Sequence, residues 1–192
     1  SLVFDGRVIL GTRARKERSK SFNAFSSVDY PERAVIRDGK LIRYLAPRPY
    51  AYGAEPVFYD RLEDRVLLLT LIPGMGAEAL GLLKDRYQAV ILQSFGVGGL
   101  PGGENGPLAQ AMEEWLLAGK TIVMMTQVPY EGSDMSVYQV GQQVKERFQL
   151  MEAYNMTLEA VVTKLMWVLG QTGDPREIRE LFYRPVQFDV IQ

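Results

Sequence analysis

Ala89-Val90-Ile91-Leu92-Gln93-Ser94-Phe95-Gly96-Val97-Gly98-Gly99-Leu100-Pro101 is the stretch that decides the fold class. It opens as a run of apolar, partly β-branched residues, the pattern of a strand covered on both faces of a parallel sheet. Three glycines within four positions follow, where backbone can turn sharply or approach a ligand closely. Ligands of open α/β sheets collect at the carboxyl ends of the strands, so this loop is the first place to look for function. Taken alone, it reads first as a plain strand-to-helix turn.

Reading outward, the same alternation continues. Val66 to Ile72 is a buried-type strand stopped by Pro73-Gly74, and Ala77, Leu80, Leu83 and Tyr87 give the apolar side of a short helix. Gly106-Pro107 starts a helix with proline at its first position, running to Leu117 and ending near Gly119. Thr121 to Thr126 is a third strand, and its exit, Gln127 to Ser136, holds Glu131, Gly132, Ser133 and Asp134 at another carboxyl end. A helix over Gln142 to Phe148 and a short strand near Leu150 come next. Thr157 caps a helix whose Leu158, Val161, Val162, Leu165, Val168 and Leu169 share one face. Asp174-Pro175 opens the last helix, with Ile178, Leu181 and Phe182 turned inward. Strands alternating with helices on short connections predict an α/β unit over residues 65–192: a small parallel sheet in a three-layer, flavodoxin-like arrangement.

The first 45 residues follow another rule. Leu2 to Leu10 turns on Asp5-Gly6 and Ala34 to Ile42 on Asp38-Gly39, two β-hairpin signatures. A lone hairpin is marginal and needs a sheet to join, so residues 1–45 read as the tail of a larger α/β domain that starts before Ser1. Between the hairpins, Arg13, Arg15, Lys16, Arg18 and Lys20 stand against one acid, Glu17, the composition of a solvated face, with Phe22 and Phe25 as anchors. Ala46 to Pro56 carries three prolines and no steady period, which places a linker over residues 46–64.

Composition limits the chemistry. Apolar residues make up 47% and charged residues 23% of 192, and 22 basic against 23 acidic side chains leave a net charge of -1. That balance recommends neither nucleic acid nor a membrane as partner. No signal peptide and no apolar run of transmembrane length is visible, so a cytoplasmic protein is expected. With no cysteine and no histidine, thiolate chemistry is excluded and the usual acid–base group is missing. Catalysis would have to use Lys, Asp, Glu, Thr, Ser or Tyr. Pro101 stands where the dinucleotide fingerprint wants its last glycine, no phosphate-binding lysine follows the loop, and a Ser–His–Asp triad is impossible.

Several stretches together resemble one family, the bacterial-type L-asparaginases, and within it the cytoplasmic type I branch. Gly11 to Lys16 followed by Phe22-Asn23-Ala24-Phe25-Ser26-Ser27 is similar to the family's lysine hairpin and its Phe-Asp-Ala-Phe stretch. Phe95-Gly96-Val97-Gly98 resembles its Gly-Val-Gly-Asn loop, Thr126-Gln127 its Thr-Gln pair, and Asn155-Met156-Thr157-Leu158-Glu159-Ala160 its Asp-Met-Thr helix start. The matches are in order and span essentially the whole chain. The resemblance implies the carboxyl-terminal part of an enzyme that hydrolyses L-asparagine to aspartate and ammonia, needs no cofactor and no metal, and works as a homo-oligomer, dimer or tetramer. It implies that Lys16 is the catalytic lysine. It implies too that Gly98, Gly99, Glu131 and Asp134 bind substrate in the active site of a neighbouring subunit. The family's nucleophilic Thr-Gly-Gly-Thr stretch and its Thr-Asp pair do not occur, so this chain alone is expected to be inactive. Gly99 replaces an asparagine, and Gln93 and Val128 stand where allosteric members carry arginine and cysteine. The alternative is a stand-alone flavodoxin-like binding or regulatory domain.

Overall fold

The computed structural model describes residues 1–46, 55–103, 105–136 and 150–191. In chain order, the first part holds β1 (Leu2–Phe4), β2 (Arg7–Ile9), a single 3-10 turn (Gly11–Arg13), β3 (Ala14–Lys16), β4 (Phe25–Ser27), β5 (Ala34–Arg37) and β6 (Lys40–Arg43). Both Asp-Gly turns have φ of 51° at aspartate and 71° at glycine, as a two-residue hairpin turn of the right twist requires. The first hairpin finds its sheet in the second. β2 pairs antiparallel with β5, giving a four-stranded sheet in the order β1-β2-β5-β6. β3 and β4 make a separate antiparallel pair with Lys16 opposite Phe25.

The second part holds β7 (Val66–Thr70), α1 (Glu78–Leu83), β8 (Ala89–Ser94), α2 (Pro107–Leu117), β9 (Thr121–Thr126), β10 (Met151–Glu152), α3 (Leu158–Gln171) and α4 (Pro175–Tyr183). The four strands are parallel, in the order β10-β9-β8-β7. β8 is buried at every position. Because side chains alternate along a strand, Val90 and Leu92 enter one core with Leu80, Leu108, Met112 and Trp115 of α1 and α2. Ala89 and Ile91 enter the other with Val161, Leu165 and Val168 of α3 and Ile178 and Phe182 of α4. The result is the predicted three-layer parallel-sheet unit, with the hairpins preceding it.

Two readings need correcting. Val66 to Thr70 is an edge strand rather than a fully buried one, and Leu68 is 40% exposed. An apolar run marks a strand but does not say whether a neighbour covers both its edges. Phe22 is 84% exposed and anchors nothing, whereas Phe25 sits on β4 and meets the Phe4 ring edge-on at 5.1 Å. The helix expected over Gln142 to Phe148 lies outside the described residues. Within the expected linker, Tyr59 packs edge-on against Trp167 at 5.2 Å, and the Gln171 amide donates to the Arg61 carbonyl at 3.0 Å, so residues 59–61 lie along α3. No helix among the described residues is long and apolar enough to cross a membrane.

Candidate functional site

The basic run is not a solvated face throughout, because Arg13 is completely buried. Its Nε donates to the Phe188 carbonyl at 2.5 Å and Nη1 to the Asn155 carbonyl at 2.7 Å. Nη2 reaches Asn155 Oδ1 at 3.4 Å. The guanidinium lies 5.9 Å from the centre of the Tyr30 ring. Burial lowers the Arg13 pKa, and the charges of Asp29 and Asp189 oppose that shift. A guanidinium stays protonated under any such shift. Thr12 beside it donates from Oγ1 to the Gln187 carbonyl at 2.7 Å and accepts at its own carbonyl from Thr157 Oγ1 at 3.3 Å. From this anchor β3 runs out to Lys16, which is exposed, its Nζ 5.9 Å from the centre of the Phe25 ring.

The glycine loop after β8 is closed by its own backbone. Phe95 N–H donates to the Gly99 carbonyl at 3.1 Å and Gly99 N–H to the Phe95 carbonyl at 2.8 Å. Gly98 has φ of +144°, and a Cβ there would stand 2.7 Å from Met135 Cγ. Only glycine lets the loop after β8 lie this close to the loop after β9. The loop after β9 is held in turn from three sides. Tyr130 Oη donates to Glu17 Oε1 at 2.6 Å, and the Glu131 N–H donates to Asp29 Oδ2 at 3.0 Å. Ser133 N–H donates to the Tyr154 carbonyl at 3.0 Å, and Met135 N–H to Glu152 Oε1 at 2.8 Å. Asp134 turns back on its own chain and accepts from the Ser136 N–H at 2.9 Å. Gly132, at φ +71°, passes so near the next turn that a Cβ would lie 2.7 Å from the Tyr154 carbonyl oxygen.

The two sequence-predicted pieces of the site therefore meet along one seam. The strand that carries Lys16 continues into Glu17, which holds Tyr130 of the loop that carries Glu131 and Asp134. Gly98 joins this seam through Met135, while Gly99 is held by its own loop against Phe95. Arg13, Glu17, Asp29 and Tyr130 were not singled out as seam residues by sequence reasoning, since no local pattern announces a partner more than a hundred residues away. Ser26 and Ser27 of β4 and Ser133 of the loop have buried hydroxyls with no hydrogen-bond partner among the described residues. Buried polar atoms without partners are rare enough to need a reason, and all three lie in the two segments that form the seam. A cavity of about 500 Å³ lies elsewhere, lined by Thr12, Tyr59, Lys164, Trp167 and Asp189 among others.

The family model described as the Glutaminase/Asparaginase C-terminal domain matches residues 65–182. The chain belongs to this family. The L-asparaginase of Thermococcus kodakarensis is 35% identical over 98% of this chain and 56% of its own length. Its solved structure superposes with a TM-score of 0.89. L-asparaginase 1 of Escherichia coli is 30% identical over 94% of this chain and 52% of its own length. A subunit of the glutamyl-tRNA(Gln) amidotransferase of Pyrococcus furiosus is 31% identical over 89% of this chain and 38% of its own length. The chain thus spans about half the length of the L-asparaginases it matches. The hairpins lie outside the residues that the family model matches, whereas the match to the T. kodakarensis structure covers both parts.

Proposed function

We propose that this chain is the carboxyl-terminal portion of an L-asparaginase that hydrolyses L-asparagine to L-aspartate and ammonia. The carrying observation is the similarity to an L-asparaginase along nearly the whole chain, 35% identical over 98% of its length and superposable on that enzyme's structure with a TM-score of 0.89. In this reading a threonine hydroxyl from the amino-terminal portion attacks the side-chain amide carbon. The amide C–N bond breaks, ammonia leaves, and water then hydrolyses the threonine ester to aspartate. Lys16 serves the proton transfer that makes the hydroxyl nucleophilic, because a hydroxyl is a poor nucleophile until a base takes its proton. Gly98, Gly99, Glu131 and Asp134 form the part of the substrate site that a neighbouring subunit supplies, which makes a homo-oligomer part of the proposal. A cytoplasmic location and the division into residues 1–45, 46–64 and 65–192 belong to the same reading.

The test is ammonia release from asparagine by the polypeptide expressed from its complete reading frame. Wild type should turn over, and Lys16→Met, which keeps the apolar stem and removes the amine, should lower kcat by roughly 10²–10⁴-fold while the protein still folds. Lys20→Met is the control, equally basic but outside the matched position, and should leave kcat unchanged. Equal effects of the two substitutions, or none, would show that Lys16 has no such role.

A further inference from the structure

Arg13 is a costly residue to bury. A buried charge has to be compensated by hydrogen bonds of good geometry. Its fork takes two main-chain carbonyls, from Asn155 and Phe188, and approaches one side-chain amide oxygen. Those two residues lie 142 and 175 positions away in sequence. Lys16 by contrast is exposed, and its own contact is a ring at 5.9 Å. What fixes the place of Lys16 is therefore its backbone, paired with Phe25 of β4 and rooted at Arg13. That strand is three residues long, so Arg13 and Lys16 are separated by two residues of extended backbone.

The turn that receives Arg13 also receives the other half of the seam. Tyr154 has φ of 50°, an uncommon value for a residue other than glycine. Its carbonyl accepts from Ser133 N–H, and Gly132 is packed against it and against Asn155. Asn155 in turn accepts from the Ile191 N–H at 3.0 Å through Oδ1 and donates to the Ile191 carbonyl at 3.2 Å. One strained turn thus touches the Lys16 strand through Arg13, the Glu131–Asp134 loop through Gly132 and Ser133, and the last described residues through Asn155.

We propose that Arg13 is a positioning residue, which keys the Lys16 strand and the Glu131–Asp134 loop to the single turn Tyr154–Asn155 so that both keep one register. The inference rests on the reading of Lys16 given above. Reactions that depend on near-attack geometry lose on the order of 10²-fold for a displacement of about 1 Å, which sets the scale of what loss of the key should do. At the turn itself the guanidinium is held by neutral oxygens, so its grip depends on the direction of each N–H rather than on charge pairing. A lysine, whose three donors sit on a single nitrogen, cannot reproduce that fork.

The experiment has two arms. In the complete polypeptide, Arg13→Met and the milder Arg13→Lys are compared with Lys16→Met for ammonia release. Arg13→Met should lower kcat roughly 10- to 100-fold with KM within about twofold, and Arg13→Lys should fall between it and wild type. In the same polypeptide, amide hydrogen exchange is followed in wild type and Arg13→Lys. Protection should fall by about tenfold or more together at residues 14–16, 132–133 and 154–155, and stay unchanged in β8 and β9. If Lys16→Met abolishes turnover while both Arg13 variants keep kcat within about twofold of wild type, the positioning role is overturned. If exchange changes everywhere alike, or at residues 14–16 without 132–133, the shared key is overturned. If Lys16→Met itself leaves turnover intact, the catalytic reading fails, and the exchange arm still decides whether the key exists. Should Arg13→Met not fold, Arg13→Lys carries both arms.

Discussion

Glu17 is the residue at which a basic run becomes part of a site. The Tyr130 hydroxyl donating to it, with the Ser26 hydroxyl also near, holds its carboxyl below the usual carboxylate range. A depressed pKa in the folded state means the contact helps folding above the unfolded value and is lost as pH falls through the folded value. Glu17 is exposed, so the effect is read better by titration than by stability. Tyr130→Phe should bring the Glu17 pKa back toward that of an ordinary glutamate in a carboxyl NMR titration. An unchanged titration would mean that the two segments do not meet there. Sequence showed Lys16 only through resemblance, and showed Glu17 and Asp29 not at all. Their partners are Tyr130 and the Glu131 N–H, more than a hundred residues on. Phe22 shows the opposite failing: an aromatic residue invites the reading of an anchor, yet its place before β4 leaves it in solvent.

Helix starts were legible because they are local chemistry. Thr157 Oγ1 accepts from the Ala160 N–H at 3.2 Å, and Asp174 accepts from the N–H groups of Arg176 and Glu177. Thr157 has a second task that no local rule states, donating to the Thr12 carbonyl across to the first part of the chain. Thr157→Ala should therefore cost about 1 kcal/mol or somewhat more and lower Tm by about 2–4 °C. Differential scanning calorimetry would check it; no loss would mean that water caps the helix equally well. The strands were less legible. β8 and β9 carry the apolar runs of central strands, but β7 carries the same kind of run at an edge, and three-residue β3 and β4 have too few positions to show any period.

At the scale of the whole molecule, the last described segment is the joint. Lys164 of α3 and Asp189 form a buried ion pair at 2.6 Å, and Lys164 also donates to the Arg184 carbonyl at 2.7 Å. The other Asp189 oxygen accepts from the N–H groups of Val186 and Val190, which folds the segment back on itself. That segment then hands its carbonyls at Gln187 and Phe188 to Thr12 and Arg13. Asp189→Asn leaves an uncompensated buried ammonium and should destabilise by roughly 3–5 kcal/mol, read from denaturant unfolding. A change below about 1 kcal/mol would mean that the segment is not a structural joint. The chain's own pattern was enough for the class of fold, for the two hairpins, and for the starts of α2, α3 and α4, because periodicity, Asp-Gly turns, a first-position proline and capping residues act over a few positions. It could not show that the hairpins complete each other, that Val66 to Thr70 lies at an edge, or that one arginine of a basic run is buried. Those outcomes depend on which distant backbone groups come to lie opposite one another. Only the packed chain can satisfy a buried guanidinium with carbonyls 142 and 175 residues away.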